Sequence, residues 1–186
     1  MIEKKLFSKL ISAMLIAISG IVFNACGNND EPHDSTETKW STYYEVSFDL
    51  SDDVFKAAEV TAHIADPEGT MRAEKVSASK TWTLKGYEIP DKAGILLTFV
   101  PKKNIPETEI YTFKINSTIK AASYKNNELF DFKYYSIESE ISVKGDKVTQ
   151  YFTDNDIALA YGVNANGTVI SVDTDHFDFG LNGPQK

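Results

Sequence analysis

The chain has 186 residues, 42% of them hydrophobic, and its 27 Asp and Glu outnumber its 19 Lys and Arg for a formal net charge of −8. Arg72 is the only arginine, so the clustered basic side chains that neutralise phosphates are missing, which argues against nucleic acid as a partner. The same acidity argues against electrostatic docking to anionic lipid.

Taken from the start, Lys4, Lys5 and Lys9 precede an apolar run over residues 10–23, and small Ala25 stands directly before Cys26, the only cysteine. A charged n-region, an apolar h-region and a small-residue cleavage site make residues 1–25 a cleaved secretory signal. The run is too short, and too rich in Ser and Gly, for a membrane span. The placement of Cys26 resembles the lipobox of bacterial lipoproteins, whose signal is cut just before a Cys that receives a diacylglycerol. Phe23 and Asn24 stand where the common pattern has Leu and a small residue. The resemblance implies lipid attachment at Cys26, with the membrane as a partner through acyl chains; two or more chains give stable anchoring. The alternative is an ordinary secreted protein with one Cys at that place. Cleavage would leave 161 residues with a net charge of −10, enough for one domain with a proper core. An acylated Cys26 leaves no thiol for disulfides, so stability must rest on hydrophobic burial.

Residues 26–39 read as an acidic flexible tether, with Pro32, Asp30, Glu31, Asp34 and Glu37 and nothing apolar to pack. Asn28-Asn29-Asp30-Glu31 resembles the surface-export signal of Bacteroidetes lipoproteins; a solvated linker is the alternative. Asp34-Ser35-Thr36 is similar to the short O-glycosylation pattern of that group, which would make Ser35 the modified residue.

From Trp40 the period becomes two. Tyr44, Val46, Phe48 and Leu50 alternate with polar residues as a half-buried strand, and Ser51-Asp52-Asp53 offers N-cap chemistry for one helical turn. Val60, Ala62 and Ile64 resume the alternation. Asp66-Pro67-Glu68-Gly69 has the residues of a type I turn, which predicts a hairpin returning over residues 71–78. Trp82 and Leu84 mark a further strand, residues 86–94 a loop, and the apolar run 95–100 a strand covered on both faces. Tyr111, Phe113, Ile115, Ile119 and Ala121 share one parity. After a turn at Asn126-Asn127, Phe130, Phe132 and Tyr134 are expected to point inward. Ile137, Ile141 and Val143 then require a bulge near Tyr135-Ser136. Asp146 is placed to cap a short helix carrying Val148, Tyr151 and Phe152. Ile157, Leu159, Tyr161 and Val163 form a strand, Asn166-Gly167 a two-residue hairpin turn with both residues at positive φ, and residues 168–172 the return, with Phe177 and Phe179 sealing the edge.

About nine or ten short strands with little helix predict an all-β fold: an antiparallel two-sheet β-sandwich, immunoglobulin-like or related, over residues 40–186. The succession of strand, acidic turn, hairpin, Trp strand, Pro loop and apolar strand resembles small uncharacterised β-sandwich lipoproteins of gut Bacteroidetes. That resemblance rests on turns and core positions and carries no catalytic residue to this chain.

Chemistry is sparse. His33, His63 and His176 are the only histidines. His33 lies in the tether and His63 on the polar parity of a strand. His176 has company in Asp173 and Asp175, a cation-binding set, or else the charged residues of a solvated edge strand. Asp154-Asn155-Asp156 lacks the Gly and distal Glu of a calcium loop and reads as a turn. No Gly-x-Ser-x-Gly occurs, and no cofactor motif is present. All nine Tyr and both Trp follow Cys26. Tyr43, Tyr87, Tyr124 and Tyr135 fall on outward parity or in loops, where they could stack on sugar rings. The expectation is a lipid-anchored, exported, non-enzymatic binding or assembly module on the outer membrane, facing the cell surface in preference to the periplasm. Its partner would be a glycan or an envelope protein. The rival expectations are a carbohydrate-binding accessory of a glycan-uptake system and, from another class, a small hydrolase.

Overall fold

The structure, a computed structural model, describes residues 38–181. The signal, Cys26, His33, Ser35 and the tether as far as residue 37 lie outside the described residues. Nine strands form in chain order: β1 (Trp40–Leu50), β2 (Ala58–Ala65), β3 (Met71–Val76), β4 (Lys80–Gly86), β5 (Asp91–Pro101), β6 (Ile110–Lys125), β7 (Glu128–Lys144), β8 (Ile157–Val163) and β9 (Val169–Ser171). Helix α1 (Asp52–Ala57) joins β1 to β2, α2 (Gly145–Asp154) joins β7 to β8, and a 3-10 turn (Thr174–His176) follows β9. Two antiparallel sheets, ordered β4-β1-β6-β7 and β3-β2-β5-β8-β9, make the two-sheet sandwich.

Alternation explains most of the core. Tyr44, Val46, Phe48 and Leu50 of β1 are buried, and so are Trp82 and Leu84 of β4 and Phe113, Ile115 and Ile119 of β6. From the other sheet they meet Val60, Ala62, Ile64, Ile95, Leu97, Phe99, Leu159, Tyr161 and Val163. One end of the sandwich is closed by α2, whose Phe152 ring lies 4.7 Å from Phe113 and 5.1 Å from Phe99. Ser51 precedes α1 without capping it. Its hydroxyl instead bridges to β6, donating to Thr112 O at 3.0 Å and accepting from Lys114 N at 3.1 Å.

Several expectations are corrected. Residues 91–94 belong to β5, not to a loop, which shortens the connection to residues 87–90. The reason is Asp91, whose Oδ1 accepts from Tyr44 OH at 2.6 Å and whose Oδ2 accepts from Thr42 Oγ1, fastening β5 to β1 across the two sheets. The run 95–100 is covered on both faces only as far as Leu97; Phe99 stays buried on the inward face, while on the outward face Thr98 is half-buried and Val100 is 61% exposed. Asn166-Gly167 is not a two-residue turn. Gly167 N bonds Asn164 O at 2.9 Å and Asn164 N bonds Thr168 O at 3.0 Å, with only Gly167 at positive φ. Asp66 and Gly69 make the same pair of bonds, so both hairpins carry a type I turn closed by a left-handed Gly. The two-residue turn with both positions at positive φ is Asn126-Asn127.

The largest correction concerns β7. Phe130, Phe132 and Tyr134 do not point into the core. The bulge lies at Phe130, between the pairs Ser123↔Asp131 and Tyr124↔Leu129, rather than near Tyr135-Ser136. The extra residue lets Phe130 swing edge-on to Trp40, ring centres 5.1 Å apart. From Asp131 onward the odd residues oppose the inward residues of β6, so Phe132 and Tyr134 face outward. Phe177 and Phe179 do not seal an edge either; with Ala65, Leu96 and Ala160 they form a second apolar layer, separate from the main core, on the outer face of the five-stranded sheet.

Candidate binding surfaces

β7 is a 17-residue edge strand along which only Val143 is fully buried. Its inward side chains Tyr135, Ile137 and Ile141 oppose Ile119, Ser117 and Phe113 of β6, yet each remains 39–49% exposed. Coverage fails because the facing sheet ends in β9, which is three residues long. Only the two ends of β7 are held. Near the start, Asp131 Oδ2 accepts from Val169 N at 2.8 Å; near the end, Val143 is buried in the main core with Val148 and Phe152 of α2.

The outward side of the same sheet gathers a second set. Register places Tyr43 of β1, Ala122 of β6 and Phe132 of β7 in one row. The next row holds Glu45, Lys120 and Tyr134, and Tyr124 lies opposite Ser41 on the other side. Ala122 is only 3% exposed although it points away from the core, as a small residue flanked by two rings must be. Lys120 Nζ lies 2.6 Å from Glu45 Oε1, and Tyr43 OH donates to Glu45 Oε2 at 3.3 Å. Burial, with Tyr43 beside it, raises the Tyr124 phenol above its ordinary range, so that hydroxyl stays a protonated donor. An aromatic surface edged with hydroxyls and one ion pair can stack on a sugar face and hydrogen-bond its rim.

The four tyrosines singled out in the sequence therefore divide. Tyr43 and Tyr124 share this face, Tyr135 points to the opposite side of β7, and Tyr87 stands alone in the loop after β4. Phe132 and Tyr134 were missed, because alternation read without the bulge assigns them to the core.

Asp173, Asp175 and His176 lie not on an edge strand but in and beside the 3-10 turn. Asp173 caps it, accepting from Asp175 N at 3.1 Å and lying 2.8 Å from His176 Nδ1. That hydrogen bond raises the His176 pKa and lowers that of Asp173. The capping carboxylate is thus already committed, and no cluster able to hold a metal occurs among the described residues. His63, with Nε2 3.0 Å from Thr98 Oγ1, is pushed toward its neutral form by burial.

A groove of about 890 Å³ opens where β8 and the segment after β9 part from β7. Ile115, Ser117, Ile137 and Ser139 form its floor, and Asp156, Asp175 and Asp178 stand along it. Burial raises the Asp156 carboxyl above its usual range. Among the described residues no helix is long and apolar enough to cross a membrane. No protein-family model and no curated protein matches the chain.

Proposed function

We propose that the chain is an exported, non-enzymatic binding or assembly module, anchored at the outer membrane through acyl chains on Cys26 and facing the cell surface. One observation carries the binding role. β7 presents Leu129, Phe130, Phe132, Tyr134, Tyr135, Ile137 and Ile141 to solvent along an unpaired edge, more than a solitary soluble domain ordinarily leaves uncovered. The anchor is supported by the order of signal, Ala25 and Cys26 in the sequence. Its test is Cys26→Ala in intact cells. The variant should leave the membrane fraction, and external protease should digest the native form but spare a periplasmic control. Retention of the variant would remove the anchor, and protection of the native form would move the module to the periplasmic side.

The face formed by Tyr43, Tyr124, Phe132 and Tyr134 favours a second reading, carbohydrate binding in a glycan-uptake system. Binding on a broad glycan panel that falls about tenfold in Tyr43→Ala and in Phe132→Ala would support it, each loss being about the contribution of one stacked ring. Silence across the panel would discard it.

A further inference from the structure

The five-stranded sheet is unfinished. β8 pairs with β5 along its whole length, but β9 pairs only with residues 161–163 of β8. The strand stops because the Asp173 cap and the 3-10 turn divert the chain out of the sheet, after which Phe177 and Phe179 carry it across the outer face. Residues 157–160 keep a backbone edge with no strand beside it, and residues 155–158 line the groove. Beneath lie Ile115 and Ser139 in one row of the opposite sheet, and Ser117 and Ile137 in the next.

The geometry points to strand addition: the groove takes an extended segment of a partner protein, apolar at every second residue and carrying Lys or Arg between. Three features select that occupant. A free antiparallel edge offers alternating N–H and C=O groups at strand spacing, and the four residues 155–158 that line the groove span about 13 Å, room for a segment of about four to six residues. The floor supplies isoleucines to one side only, so the segment must be apolar on one parity. The lining holds Asp156, Asp175 and Asp178, no Lys or Arg, and a single His176, so a basic segment is complementary. A second copy fits poorly, because each copy without its signal brings a net charge of −10.

The inference rests on the reading of the chain as a binding module, and the two fail separately. The test uses the purified chain and three labelled peptides of about ten residues: alternating Val and Lys, the same composition in two blocks, and alternating Val and Glu. The alternating Val/Lys peptide should bind at least about tenfold more tightly than either control by fluorescence anisotropy. It should protect from hydrogen exchange those backbone amides of residues 155–158 that do not already face β5. Asp175→Lys combined with Asp178→Lys, both exposed, should weaken it about tenfold with the circular dichroism spectrum unchanged. Lys75→Ser, on β3 at the far edge of the same sheet, should leave it intact. Equal binding of the three peptides, protection along β7 instead, loss of binding in the Lys75 variant, or no binding at about 1 mM peptide would overturn the inference. If the peptide binds as expected but crosslinking in native membranes finds no partner, the module reading falls and the groove's preference stands.

Discussion

β1 and β7 belong to the same sheet, and both alternate inward and outward side chains, yet β1 is the centre of the core and β7 is almost all surface. The difference lies opposite them. β1 faces β5 and β8 and is fastened to β5 through Asp91, whereas β7 faces a sheet that has run out at β9. Periodicity states which side of a strand points inward; it does not state whether anything is there to meet it.

The sharpest way to break that contrast is a pair of truncations in one row. Phe113 of β6 and Ile141 of β7 are register partners facing the same way. Phe113→Ala should cost about 3–5 kcal/mol in urea unfolding, as for a fully buried ring, and Ile141→Ala under about 1 kcal/mol. Equal losses would mean that β7 is covered after all.

Next in size is the clamp that holds β1 under its cover. Asp91→Ala strands the Thr42 and Tyr44 hydroxyls, both part-buried, and should cost about 3 kcal/mol. Burial holds the Asp91 carboxyl above the usual carboxylate range and raises the Tyr44 phenol as well. With its folded pKa above the unfolded one, Asp91 binds its proton more tightly when folded. Its contribution therefore declines as pH rises from the unfolded pKa through the folded one. The difference between the unfolding midpoints of wild type and Asp91→Asn should show that decline across the acidic range, because groups common to both contribute equally. The opposite slopes of Asp53 and Glu74, both shifted down by lysine partners, cancel in the comparison.

A smaller effect tests the held end of β7. Gly167 has φ +88°, and a Cβ there would clash with the Trp40 ring, beside Phe130. Gly167→Ala should cost about 2–3 kcal/mol, whereas Gly69→Ala, at φ +78° but in open space, should cost about 1 kcal/mol by thermal unfolding. Smallest of all, Phe132→Ser should shift stability by no more than about 0.5 kcal/mol in urea unfolding. A loss of several kcal/mol would return Phe132 to the core.

Much of this was legible from residues alone. The parity of β1, β2, β4 and β6, the Asp66–Gly69 hairpin and the amphipathic α2 follow from local pattern, because each signal and its structural consequence lie within a few residues. The aromatic face and the groove were not legible. The face depends on a one-residue slip at Phe130, and nothing in Leu129-Phe130-Asp131 marks which residue is extra. The groove depends on the length of β9, which is limited by the Asp173 cap and by the docking of Phe177 and Phe179 on residues far away in the chain. Only Tyr43 and Tyr124 could be reached from sequence, since their outward parity is set upstream of the slip.

The two-residue turn at Asn126-Asn127 also sets an order in time. It joins strands of 16 and 17 residues whose pairing needs only a minimal loop to close, and hairpins of this kind form in about 1–10 μs. β1 reaches β6 only across a long intervening chain, with Glu45 and Lys120 separated by 75 positions. Contacts that distant are gained late, because the entropy of closing the loop precedes their reward. When the whole chain folds, the β6–β7 arm is therefore an early piece, with both edges bare until β1 takes one of them. The other edge stays bare in the finished fold, so the exposure that β7 offers a partner is a folding-stage condition that this molecule never outgrows.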